Sequence, residues 1–120
     1  RIRNKFMHEY ALTSRIVEIA LETAQKQNAD KITAITLVIG ECSGVLIDSV
    51  QLYFDMIAEG TAAEGAQLLV RVIQPQMRCP VCGRNFTRPR FSFACPQCGA
   101  LGSPTDIGKE FYIESVELEQ

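Results

Sequence analysis

Between Glu9 and about Gln27, apolar side chains recur at three- and four-residue spacings: Leu12, Ile16, Ile19, with Val17, Ala20, Leu21 and Ala24 beside them. That period predicts an amphipathic helix with a broad apolar face. Glu9 falls at its start, where the helix dipole favours a negative charge. Asn28-Ala-Asp30 ends the pattern. From Lys31 to Gly40 the period changes to two, with Ile35, Leu37 and Ile39 alternating with Ile32, Ala34 and Val38. Apolar residues on both faces predict a central strand. Gly40-Glu-Cys-Ser-Gly44 reads as a turn. A second helix is expected from Asp48, with the Asp48 side chain as cap and Gln51 completing a variant capping box. Val50, Phe54, Ile57 and Ala58 form its buried stripe, and Gly60 stops it. Gln67–Ile73 predicts a second strand, closed by Pro75. Glu110–Leu118 predicts a third, with a slip in alternation near Ser115 that suggests a bulge.

Helix, strand, helix, strand, cysteine-rich segment, strand is therefore the expected order. It defines an α+β fold: two helices on a small three-stranded sheet, with a cysteine lobe inserted before the last strand. A chain of 120 residues, 47% hydrophobic and 22% charged, matches one soluble globular domain. The longest uncharged apolar run, Ile32–Gly40, is far short of the ~20 residues a membrane helix needs. The basic start Arg1–Phe6 lacks the apolar core of a secretory signal, so a cytoplasmic location is expected.

Charge divides the chain. The net value is −2, but Gln76 to Pro104 holds four arginines (Arg78, Arg84, Arg88, Arg90) and no acid. The remainder carries eight bases against fourteen acids. This segment also contains Cys79-Pro-Val-Cys82-Gly83 and Cys95-Pro-Gln-Cys98-Gly99, two near-identical knuckles twelve residues apart. Each C-x-x-C turn sets two thiolates on one side of a tight loop, so the pair supplies the tetrahedron that zinc prefers. Gly83 and Gly99 allow the chain to turn back after the second sulfur. Phe86, Phe91 and Phe93 are expected to cover the site. Four thiolates close the coordination sphere, which makes the metal structural and a source of folding energy for a lobe too small to fold alone. Paired disulfides and a redox C-x-x-C are the rival readings. Cys42, the fifth cysteine, is expected to be a small buried residue.

His8 is the sole histidine. On its own it is an ordinary exposed residue near a terminus. If the chain began at Met7, however, the terminal amine, the amide of residue 8 and the imidazole would chelate one metal through consecutive nitrogens. Such a site suits Ni(II) or Cu(II). Glu9 would add a carboxylate or a hydrogen bond.

Met7-His-Glu-Tyr10 before the first helix, Ile39-Gly-Glu-Cys-Ser-Gly44, Glu59-Gly-Thr61, Ala63-Glu-Gly-Ala66 and the paired knuckles together resemble the HypA/HybF nickel metallochaperones. The resemblance runs from Met7 almost to the C-terminus. It implies a non-enzymatic protein that takes up nickel as transient cargo at Met7, His8 and Glu9. Zinc would be held by Cys79, Cys82, Cys95 and Cys98. Nickel would pass to the large subunit of [NiFe]-hydrogenase, or in some organisms to urease, with a HypB-type GTPase as partner. Three segments are implied: an N-terminal extension over 1–6, taken to be foreign to the protein because it ties up the Met7 amine; a nickel-binding α/β domain over 7–75 plus 106–120; and a zinc-ribbon lobe over 76–105. A homodimer is left open. The competing function is a zinc-ribbon module binding nucleic acid or protein; the acidic remainder and the lack of a long basic stripe weigh against nucleic acid.

Overall fold

The computed structural model describes residues 5–89 and 91–120, with side chains from His8 onward. Residues 1–4 of the expected extension, the Met7 side chain and Arg90 lie outside the described residues. The elements are α1 (Lys5–Lys26), β1 (Lys31–Gly40), α2 (Ile47–Ala58), β2 (Gln67–Ile73), β3 (Gln76–Arg78), β4 (Asn85–Thr87), β5 (Ser103–Pro104) and β6 (Phe111–Glu119). They form two three-stranded sheets, ordered β2-β1-β6 and β4-β3-β5. The expected α+β fold is therefore observed, with β1 central in the larger sheet.

Backbone hydrogen bonds set the strand directions. Asp30 donates to Glu119 and Gly40 to Glu110, so β1 and β6 are antiparallel. Ile32 donates to Ala62 and Glu41 to Ile73, so β1 and β2 are parallel, joined by α2 as crossover. The chain divides into two compact units. The first holds residues up to Leu37, Val45–Arg71 and Tyr112–Gln120; the second holds Val38–Gly44 and Val72–Phe111. The second unit takes in the ends of β1 and β2 together with the cysteine segment.

In the first unit Ile16, Val17, Ala20 and Ala24 of α1 are buried with Ile32, Ala34, Ile35 and Leu37 of β1 and Val50, Phe54 and Ala58 of α2. Tyr10 and Tyr53 meet edge to face, with centroids 5.3 Å apart. No helix among the described residues is long and apolar enough to cross a membrane.

Three local expectations are corrected. The first helix starts at Lys5, not Glu9, because Lys5-Phe-Met-His8 contains no glycine, proline or capping residue to stop it. Met7-His8-Glu9 thus lies inside α1, whose first turn holds no acid. The second helix starts at Ile47 with Leu46 as N-cap and no side-chain cap. Asp48 lies in its first turn, and the Gln51 side chain donates instead to the Leu68 carbonyl at 3.0 Å. Cys42 is exposed, because the turn is held by its backbone, whose N–H donates to the Gly108 carbonyl at 2.6 Å. The helix stop at Gly60 is as expected, with φ +79° just past the Glu59 C-cap.

Candidate metal centre

The two knuckles repeat one backbone pattern. Cys79 N–H donates to the Arg84 carbonyl at 2.8 Å and Gly83 N–H to the Cys79 carbonyl at 2.9 Å. Cys95 N–H donates to Ala100 at 2.8 Å and Gly99 N–H to Cys95 at 2.8 Å. Gly83 and Gly99 sit at φ +75° and +79°, the left-handed conformation that closes each loop. β3 pairs with β4 antiparallel, Met77 opposite Phe86, and an Ala94–Leu101 bridge joins the flanks of the second knuckle.

These turns bring Cys79, Cys82, Cys95 and Cys98 together, with all four sulfurs within 4.8 Å of one another. Cys79 and Cys98 Sγ are 3.3 Å apart and Cys82 and Cys95 Sγ 3.7 Å apart. A disulfide needs about 2.05 Å, whereas four thiolates around one zinc at about 2.3 Å stand about 3.8 Å apart. The spacing and the all-sulfur donor set fit zinc. Four sulfurs would fill a tetrahedral coordination sphere, so an ion held there would tie the lobe together.

Electrostatics favour thiolate on the inner sulfurs. Cys82 N–H donates to Cys79 Sγ at 3.4 Å. That backbone bond outweighs burial and holds the Cys79 thiol down at about 6. Cys95 is lowered in the same way, by the backbone N–H of Cys98. Cys98 also accepts a backbone bond, from Ala100, but the neighbouring Cys79 sulfur and burial push it up to about 11. Four crowded sulfurs thus resist shedding all their protons until a cation compensates them.

Met77, Phe86, Cys79 and Cys95 form the lobe's small core, with Ala100 against it. Of the three expected cover residues only Phe86 is buried. Phe91 is 87% exposed at φ +62°, and Phe93 lies outside under the Arg88 guanidinium, 4.1 Å from its ring centroid. Gly102 explains the difference: a Cβ there would come 2.5 Å from Phe86 Cζ, so Phe86 already fills the space.

At the other candidate site, His8 is exposed on α1 and Glu9, one residue on, is buried. Glu9 Oε2 accepts the Leu46 N–H at 2.5 Å, at the start of α2, while Oε1 is buried without a partner. Thr13, also buried, donates to the Glu9 carbonyl at 2.7 Å. An apolar-only reading of α1 passes over Glu9 and Thr13 as core residues. Their positions four residues apart, in line with Val17 and Ala20, are the signal that reveals them.

A two-helix α+β fold carrying four convergent cysteines defines a protein with the donor set of a metal site. The match to known proteins narrows this. Residues 7–118 match the family described as hydrogenase/urease nickel incorporation, metallochaperone, HypA. The hydrogenase maturation factor HypA of Caldanaerobacter subterraneus subsp. tengcongensis is 46% identical over 114 residues, spanning 94% of this chain and 100% of that protein. HypA of Dehalococcoides mccartyi is 37% identical, over 94% of this chain and 95% of its own length. A solution structure of HypA superposes with a TM-score of 0.71 at 25% identity, covering 93% of this chain and 96% of that one. The chain belongs to the HypA family of nickel metallochaperones, a non-catalytic family.

Proposed function

We propose that the chain carries Ni(II) at its Met7-His8-Glu9 segment and delivers it, with a HypB-type GTPase, to the large subunit of [NiFe]-hydrogenase in the cytoplasm. Zinc is the metal of the cysteine lobe and stays in place. The observation that carries this reading is the exposed imidazole of His8 in the first turns of α1, one residue after the family match begins. In a form beginning at Met7, the first backbone N–H groups of that helix have no intrahelical acceptor. Nitrogen at Met7 and His8 is then free to join the imidazole. An exposed site with few ligands also suits cargo that must leave. Glu9 contributes from the buried side, through its carboxylate or through the hydrogen bond it makes to Leu46.

The test is a calorimetric nickel titration of the metal-loaded chain beginning at Met7, beside the same chain carrying His8→Ala. One nickel bound by the first and none by the second, with zinc retained in both, supports the reading. Equal binding by both removes His8 from the site.

A further inference from the structure

From Gln76 to Pro104 the chain holds no acid, so every side-chain carboxylate that weighs against nucleic acid lies outside this segment. Within it, the sheet β4-β3-β5 has two unlike faces. Met77 and Phe86, paired across β3 and β4, turn inward to the lobe core. Strand alternation places Gln76, Arg78, Asn85 and Thr87 on the other face, where Gln76 Nε2 donates to Thr87 Oγ1 at 2.8 Å. Ser103 of β5 pairs with Arg78 in the same register. This outer face is polar throughout, and among the described residues its only charge is Arg78.

Arginines and rings border that face. The Arg78 side chain runs to the first knuckle, with Nη2 3.9 Å from where a Cβ on Gly83 would stand, beside the backbone that carries Arg84. Arg78, Arg84 and Arg88 are exposed, and none pairs with a carboxylate among the described residues. Arg88, the residue after β4, covers one side of the Phe93 ring, which stays 53% exposed. Phe91, two residues away, is 87% exposed at φ +62°, a conformation that bulky residues rarely take. Phe86 already fills the lobe cavity, so core packing does not account for either ring. Exposed rings among exposed arginines are the elements of a single-strand surface: bases stack on the rings and phosphates meet the guanidinium groups. Stacking is short-range, so it persists although a zinc tetrathiolate would offset part of the arginine charge. An acidic polypeptide would engage the arginines and leave the rings unused.

We infer that the cysteine lobe binds single-stranded nucleic acid, with phosphates on Arg78, Arg84 and Arg88 and bases stacked on Phe91 and Phe93. Asn85, Thr87 and Ser103 line the face between with hydrogen-bonding groups. A duplex keeps its bases stacked on one another and out of reach of the rings, so the single strand is preferred. The interaction is independent of base sequence, because every base offers a ring face.

Fluorescence anisotropy of labelled oligouridylate and oligothymidylate, titrated with the metal-loaded full chain over a range of salt, tests the inference. Binding of either strand supports it, and the tighter of the two tells RNA from DNA. Three phosphates at about 0.7 each set the expected slope of log affinity against log salt at about −2. Phe91→Ser/Phe93→Ser is expected to bind at least about fivefold more weakly at an unchanged slope. Phe91→Leu/Phe93→Leu, which keeps the apolar bulk, is expected to lose as much, and it carries the test if the serine variant fails to retain metal. Arg78→Gln/Arg84→Gln is expected to flatten the slope to about −0.7. No binding at low salt overturns the inference, as does a leucine variant that binds like the wild type or a duplex that binds as tightly as the single strand. An oligoglutamate peptide that displaces the strand at equal charge concentration also overturns it, in favour of an acidic protein partner.

Discussion

Replacing Glu9 by alanine probes how α1 is tied to α2. The carboxylate is fully buried, one oxygen accepts the Leu46 N–H and the other has no partner. In Glu9→Ala the part-buried Leu46 N–H loses its partner, which costs about 1 kcal/mol because Leu46 itself is half exposed. The vacated volume adds a cavity, for which large-to-small core changes set a scale of about 2–5 kcal/mol in total. Against this, the orphaned Oε1 disappears, and its desolvation cost of about 1–3 kcal/mol goes with it. The net expectation is a loss of about 2–4 kcal/mol. Glu9→Gln keeps the volume and an acceptor for Leu46, and is expected to cost about 1 kcal/mol. Urea unfolding of the metal-loaded protein, followed by far-ultraviolet circular dichroism, reads both as shifts in midpoint at unchanged slope. Should Glu9→Ala cost under about 0.5 kcal/mol, or glutamine cost as much as alanine, the hydrogen bond is not the clamp argued for.

Gly102→Ala drives a Cβ to 2.5 Å from the Phe86 ring and is expected to destabilise the lobe by about 1–3 kcal/mol, seen as faster metal loss to a colorimetric chelator. Gly40→Ala meets backbone, with Gly108 carbon and oxygen both at 2.1 Å; because backbone has no rotamer escape, this variant is expected to express largely unfolded on circular dichroism. Chelation of the lobe metal is expected to abolish protection of the β3 and β4 amides in hydrogen exchange while protection in α1 persists, since the lobe core of Met77 and Phe86 is too small to stand alone. Acid acts in the same direction as chelation. Without an ion the Cys79 thiol is held down at about 6 by the Cys82 N–H, which makes it the readiest thiolate, and as the pH falls protons compete with the metal for all four sulfurs. Metal release is therefore expected to rise as pH falls, and a chelator titration showing release independent of pH between neutral and acid would contradict this.

Much of this was legible before any coordinates. β1 falls where its period-two pattern places it, and β2 spans the expected Gln67–Ile73 before Pro75. The four thiolates were legible from spacing alone, since a C-x-x-C turn fixes its own geometry within six residues. What the pattern hides depends on the tertiary neighbour. Glu9 looks like a surface acid at a helix start, yet it is in the core because the N-terminus of α2 lies over it. The same contact explains why Asp48 is not the cap: Leu46, two residues earlier, already has its N–H taken by Glu9. Phe91 and Phe93 lie outside the lobe core, because hydrophobicity does not say which of three nearby rings one small cavity admits.

Each knuckle of the lobe is closed by its own two backbone hydrogen bonds, Cys79 to Arg84 and Gly83 to Cys79 in one, Cys95 to Ala100 and Gly99 to Cys95 in the other. The ligand set is thus two prefabricated bidentate claws rather than four independent groups. An ion in the lobe would therefore be held by two ready-made pairs, Cys79 with Cys82 and Cys95 with Cys98, each set by its own turn before the other is in place. What such an ion would restrain is the joint between the two knuckles, not the shape of either one.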